Sequence, residues 1–139
     1  MKIVSYFLLF MIVFSCGTKE VEPIKLAIDG CDYCKMKIAD GKFGGEIITT
    51  KGRVYKFDDM HCMMNYCKEN TTTKVQSFYI HDFNQSNILI PAETAFYIKD
   101  GDINSPMHGN TIAVKTKQEA EQLSQKFKAT PVSWSEISK

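Results

Sequence analysis

Residues Gly45–Cys67 read GEIITTKGRVYKFDDMHCMMNYC. Gly45 to Thr50 is β-branched and apolar enough for a strand, Lys51-Gly52 is a turn signal, and Arg53 to Phe57 is a second strand, so the run opens as a hairpin. Asp58 or Asp59 then caps a helix start, because a short carboxylate accepts hydrogen bonds from the unpaired amides of a first turn. Met60, Met63, Met64 and Cys67 recur at i, i+3, i+4 and i+7, which is one face of a helix. Asn70 to Thr73 ends that helix, and Val75 to His81 makes the next strand.

The same order returns further along. Thr94 to Lys99 reads as a strand, Asp100-Gly101 as a turn and, after a longer loop, Asn110 to Lys115 as another strand. Thr116-Lys117-Gln118-Glu119 fits a capping box, and Ala120, Leu123 and Phe127 give the apolar stripe of a second helix. Pro131 is read as its stop and Val132 to Ile137 as a last strand. The expected fold is therefore α+β, with two small homologous ββαβ modules packed or tethered together, the first over residues 24–84 and the second over residues 85–139.

Ahead of the modules lies a different kind of sequence. Met1-Lys2 is a basic start, and Ile3 to Phe14 is apolar apart from Ser5 and Tyr6. This is the make-up of a secretory signal, and the run is shorter than the ~20 residues of a membrane-spanning helix. Cys16 directly after the small Ser15 resembles the lipobox of bacterial lipoproteins, in which the signal is cut before the cysteine and its thiol carries lipid. The expectation is a signal peptide at 1–15, a lipidated Cys16 and a flexible tether over 16–23, holding the folded part to a membrane on its extracytoplasmic side. Loss of residues 1–15 removes Lys2 and leaves 124 residues with 16 basic and 16 acidic side chains. No block of like charge exists, which argues against nucleic acid and acidic substrates as partners. No general base, nucleophile pair or phosphate loop is visible, so the chain does not read as an enzyme.

What the chain does carry is sulfur. Cys31-Asp32-Tyr33-Cys34-Lys35-Met36 places two thiols and a thioether in six residues, Met60-His61-Cys62-Met63-Met64 follows, and Met107-His108 sits in a loop between Pro106 and Gly109. Soft sulfur donors select Cu(I), and imidazole also suits copper. Met60, Met63, Met64 and Cys67 share the helix stripe and are read as packing. His61 and Cys62 lie off it, in the first turn, and are the better ligand candidates. Met107 and His108 have no evident packing duty in a Pro/Gly loop, whereas His81, in a strand, is read as a surface or satisfied residue. The candidate metal ligands are thus Cys31, Cys34, Met36, His61, Cys62, Met107 and His108. Cys62 and Cys67 cannot bridge within one helix, since five residues rise roughly 7.5 Å against a ~7 Å limit for a disulfide.

Other readings of the cysteines stand beside this one. Cys31 and Cys34 suit a simple disulfide. They also suit an extracytoplasmic thiol–disulfide oxidoreductase, although a redox CxxC belongs at the head of a helix after a strand, and nothing upstream of Cys31 has that pattern. Structural zinc asks for four closed ligands, and Cys62 and Cys67 have the wrong spacing for a second pair.

Taken together, Cys31-x-x-Cys34-x-Met36, Gly44-Gly45 before a strand, Phe57-Asp58-Asp59-Met60-His61-Cys62-Met63 and Ser105-Pro106-Met107 resemble the NosL family. The likeness runs from about Ile24 to Trp134 and takes in the lipobox. These are bacterial lipoproteins that bind Cu(I) and help assemble nitrous oxide reductase, and they are built of two homologous ββαβ modules. The resemblance implies a membrane-anchored metallochaperone with nitrous oxide reductase, or its assembly machinery, as the copper acceptor. The family's usual Cys-Gly-Met is here Cys34-Lys35-Met36, and its usual Pro-Met-Gly is here Pro106-Met107-His108-Gly109, so the sulfur positions are kept and the glycines beside them are not.

Overall fold

The computed structural model describes residues 20–139. The expected signal peptide 1–15, Cys16 and the first part of the tether lie outside the described residues. β1 (Gly45–Thr49) and β2 (Val54–Phe57) form the hairpin, in the register Gly45↔Phe57 to Ile48↔Val54. Its turn uses Gly52 at φ +76°, a conformation that costs an L side chain roughly 1–2 kcal/mol. After α1 (Met60–Glu69), β3 (Val75–His81) returns antiparallel on the other side of β1. A short strand, β4 (Leu89–Pro91), extends the sheet beyond β3, so the order is β2-β1-β3-β4. This leaves β1 in the interior, where every residue is buried, Glu46 included. Gly45 lets α1 approach: a Cβ there would stand 2.8 Å from Met63 Cε and 2.1 Å from the Tyr79 carbonyl oxygen.

The second half repeats this plan. β5 (Phe96–Lys99) pairs with β6 (Thr111–Val114) on one side and, across α2 (Lys117–Phe127), with β7 (Thr130–Val132) on the other. In both units the first strand is central, the second and third flank it, and the helix joins the last two. The two-module expectation is borne out, and the modules are packed rather than merely tethered. Tyr97 and Ala113 of the second unit belong to the core formed by Ile47, Phe57, Met63 and Ile80 of the first. Phe83 N donates to the Ala113 carbonyl at 2.9 Å, and Trp134 lies edge-on to Phe78 with ring centroids 5.2 Å apart. The expected division between residues 84 and 85 falls ahead of β4, which adds to the first sheet.

Local chemistry explains most element boundaries. Asp59 caps α1, its side chain accepting from His61 N at 2.8 Å. Thr116 and Glu119 form the capping box of α2. Three expectations need correction. The stop of α2 is Lys128 in the left-handed conformation at φ +51°, not Pro131, which lies in β7, an edge strand where a missing amide costs no ladder bond. The last strand is short, and residues Trp134–Ile137 instead form α3, because Glu136 reaches back to accept from Ser133 N at 2.7 Å and nucleates a turn. Thr94, the first residue of the expected strand Thr94 to Lys99, instead ends a 3-10 turn, Ala92–Thr94, and the strand begins at Phe96.

His81 is not at the surface. It is fully buried, and among the described residues no hydrogen-bond partner within bonding geometry reaches either ring nitrogen. Burial holds its pKa near 4 instead of the ordinary 6.5, with Asn87 and Asp40 opposing the shift in part. The unfolded chain therefore takes up a proton near pH 6.5 and the folded one only near pH 4, so stability falls as pH drops through that window. The full loss is about 3 kcal/mol, from 1.36 kcal/mol per pKa unit. Urea unfolding at pH 7.5, 5.5 and 4 should show it, and His81→Leu should lose that part of the fall; identical pH curves for both proteins would assign the effect elsewhere.

Candidate metal centre

The site is built where a strap of turns crosses the start of α1. Residues 24–38 fold back on themselves through Ala27 N to the Ile38 carbonyl (2.7 Å) and Cys31 N to the Met36 carbonyl (2.8 Å). Asp32 then stitches the strap to the sheet edge: its amide donates to the Lys56 carbonyl, and its carboxylate accepts from Lys56 N, each at 2.8 Å. That anchoring carries Cys31 and Cys34 over the end of β2, where Asp58 and Cys62 meet them. The three sulfurs and an Asp58 carboxylate oxygen all lie within 4.8 Å of one another. Metal–sulfur bonds of ~2.3 Å in a tetrahedral site place ligands about 3.8 Å apart, so the most distant pair would draw in by about 1 Å around one cation.

Burial and proton sharing set its electrostatics. Cys31, Cys62 and Asp58 are buried, and Cys34 is half-buried at the opening. The Cys62 thiol donates to the Cys31 sulfur, and this, with the Asp58, Cys34 and Tyr33 amides and against desolvation, brings Cys31 down to about 6. The same contact, with burial, pushes Cys62 up, so the pair holds one proton between them. Burial raises Cys34 to about 11, with its sulfur 3.5 Å from both Asp58 oxygens. At neutral pH the nest thus offers one thiolate and two thiols whose protons leave when a cation enters.

The other sequence candidates lie around Asp59 or apart. Asp59 Oδ2 accepts from Ser105 Oγ at 2.6 Å and from Met107 N at 2.9 Å, docking the loop of the second module onto the start of α1. Gly109 makes that docking possible, since a Cβ there would stand 2.4 Å from Asp59 Oδ1 and 2.8 Å from His61 Cβ. His61 and His108 are exposed, and Asn65 Nδ2 lies 2.9 Å from His61 Nε2. Met107 is half-buried and packs on the first core rather than standing free in its loop. Met36 is 48% exposed, and its carbonyl accepts from Cys31 N on the same strap that carries the two thiols. Cys31 and Cys34 sit on turns, so no helix start lies behind them to activate a redox pair. Met60, Met63 and Met64 are buried as packing.

Asp58 is the candidate ligand that the sequence pattern alone does not single out. The signal was present, because only one of two adjacent carboxylates can cap a helix and Asp59 takes that role. The sequence pattern of the NosL family matches residues 25–139. The chain belongs to the NosL family. Its fold is similar to the crystal structure of the copper chaperone NosL from Shewanella denitrificans, with a TM-score of 0.75 and 18% identity over 88% of this chain and 98% of that one. No curated protein sequence matches the chain. Both positions where NosL proteins usually carry glycine beside a sulfur are left-handed here, Lys35 at φ +67° and His108 at φ +57°. Lys35→Gly should therefore stabilise the metal-free protein by about 1 kcal/mol without changing metal affinity, read from paired urea melts and titrations. A loss of stability would mean that the Lys35 side chain contributes more than its strained backbone costs.

Proposed function

We propose that this protein is a membrane-anchored Cu(I) carrier that passes copper to an extracytoplasmic acceptor, nitrous oxide reductase or its assembly machinery. The observation that carries the reading is the nest of three sulfurs and one carboxylate within 4.8 Å, shielded on Cys31 and Cys62 and open at Cys34. Soft thiolates favour Cu(I), and family membership supports the same cargo. A half-buried Cys34 suits hand-over: an acceptor ligand enters on that side, Cys34 leaves first, and Cys31 and Cys62 release the ion afterwards. Copper stays Cu(I) throughout, so no electron moves and the protein acts as a carrier rather than an enzyme. His61, Met107 and His108, grouped around Asp59, would supply soft and imidazole donors on the exposed side. Lipidation of Cys16 would keep the carrier at the membrane, with the segment to Pro23 as its tether.

Asp58 is a hard oxygen donor, which makes Zn(II) the competitor to test. Anaerobic titration of the reduced protein with Cu(I) against a competing chelator should give tight one-to-one binding, and Asp58→Asn should weaken Zn(II) far more than Cu(I). Oxidation joining Cys31 to Cys34 removes two ligands, so equal Cu(I) affinity in both redox states would exclude the nest. Cys16→Ala should leave the membrane fraction or accumulate uncut; normal processing and membrane retention would refute the anchor.

A further inference from the structure

The net charge of the folded part gives no hint of an acidic partner, yet the fold gathers lysines that the sequence keeps far apart. A cleft of about 400 Å³ opens between α1 and the second module, within the range of ligand-sized pockets. Lys68 enters it from the last turn of α1, Lys99 from the end of β5 and Lys139 from beyond α3. Among the described residues no carboxylate pairs with Lys68 or Lys99. The one side-chain carboxylate lining the cleft, Glu136, is held by Ser133 N and Oγ at 2.7 and 2.6 Å and faces Lys139, which leaves Lys68 and Lys99 as the uncompensated cations. The floor is apolar, formed by Met60 and Met64 with Ile137 beside them. At its rim stand His61 and Gly109, where the end of the Met107-His108 loop comes close to the first turn of α1.

We propose that this cleft receives an acidic segment of the copper acceptor, one carrying a single apolar side chain between carboxylates. The apolar side chain would sit on the two thioethers and the carboxylates would meet the Lys68 and Lys99 ammonium groups. Seated there, the segment lies against the loop of Met107 and His108 and holds the acceptor beside the copper site. Charge complementarity of this kind sets encounter rate and orientation more than affinity. The inference rests on the copper-carrier reading for its partner, while the cleft itself can be tested apart from copper.

The probe is a blocked pentapeptide of four glutamates around a central leucine, added to metal-free protein at 20 mM salt and followed by NMR. The expected result is shifts confined to the Met60 and Met64 methyls and the Lys68 and Lys99 region, lost at 200 mM salt. Binding should weaken tenfold or more in the Lys68→Glu/Lys99→Glu double variant, whose Cu(I) affinity and melting temperature stay unchanged. No perturbation at millimolar peptide, equal response to the lysine counterpart of the peptide, or an unaffected double variant would overturn the proposal. So would phosphatidylglycerol vesicles that perturb the same resonances more strongly, since the cleft would then be a lipid site. Peptide binding without Cu(I) binding would sink the copper reading and leave an acidic-peptide site; Cu(I) binding without peptide binding would sink this inference alone.

Discussion

Cys62→Ala is expected to lower Cu(I) affinity by more than 100-fold while the protein stays folded. Loss of an outer-shell partner already costs roughly 10–100-fold in metal affinity, and a directly ligating thiolate contributes more. Cys62 lies in the first turn of α1 with no exposed surface, and its sulfur meets Cys31, 31 positions earlier in the chain. Its removal takes away one of three sulfurs and also the hydrogen bond that keeps Cys31 largely ionised near neutral pH. The cavity left is that of one small side chain, so the melting temperature should fall by only a few degrees. Cys67→Ala is the matched control. It removes a half-buried thiol from the same helix, one outside the nest, and should leave affinity unchanged. Equal affinities for wild type and Cys62→Ala would place the copper site elsewhere, most directly on His61, Met107 and His108.

Asp59→Ala should produce the opposite pattern, a large loss of stability with the thiol nest intact. The carboxylate, 1% exposed, accepts from His61 N, Ser105 Oγ and Met107 N. The substitution removes a helix cap, worth ~0.5–2 kcal/mol. It also strands the buried Ser105 hydroxyl, at ~1–3 kcal/mol for a buried group left unpaired, and releases the half-buried Met107 amide. A total of about 2–5 kcal/mol follows, a large share of the stability of a small domain. Asp59→Asn keeps one acceptor oxygen and should lose less. Calorimetric melting of both variants, with Cu(I) titration of the folded fraction, checks the division of labour between neighbouring carboxylates. If Asp59→Ala melts like wild type while Asp58→Ala is strongly destabilised, the roles given to the two residues are reversed.

The docked loop also changes what Met107 can report. A thioether packed on the first core contributes to stability as well as to any copper it holds. Met107→Ala should therefore shift both melting temperature and affinity, and only the ratio to Met64→Ala, a buried control, separates ligand from packing.

The repeat was legible because its signals are local. The Lys51-Gly52 turn, the Asp59 and Thr116 caps and the methionine stripe each act within four residues, so periodicity and hydrogen-bonding chemistry reveal them without any partner. β4 was not legible, since Leu89-Ile90-Pro91 is strand only because β3 offers it an edge. The apolar content of Val132 to Ile137 suits a strand, but the Ser133–Glu136 capping pair makes Trp134–Ile137 a helix.

The two ββαβ units, the caps of α1 and α2 and the soft character of the candidate donors follow from residue type and short spacing. Which donors meet follows from long-range packing. The Asp32–Lys56 stitch brings Cys31 and Cys34 to Cys62 and recruits Asp58. The burial of His81 and the gathering of Lys68, Lys99 and Lys139 into one cleft arise the same way. Such meetings depend on how strap, helix and second module pack, and packing is set by the summed contacts of the whole chain, which no local pattern encodes.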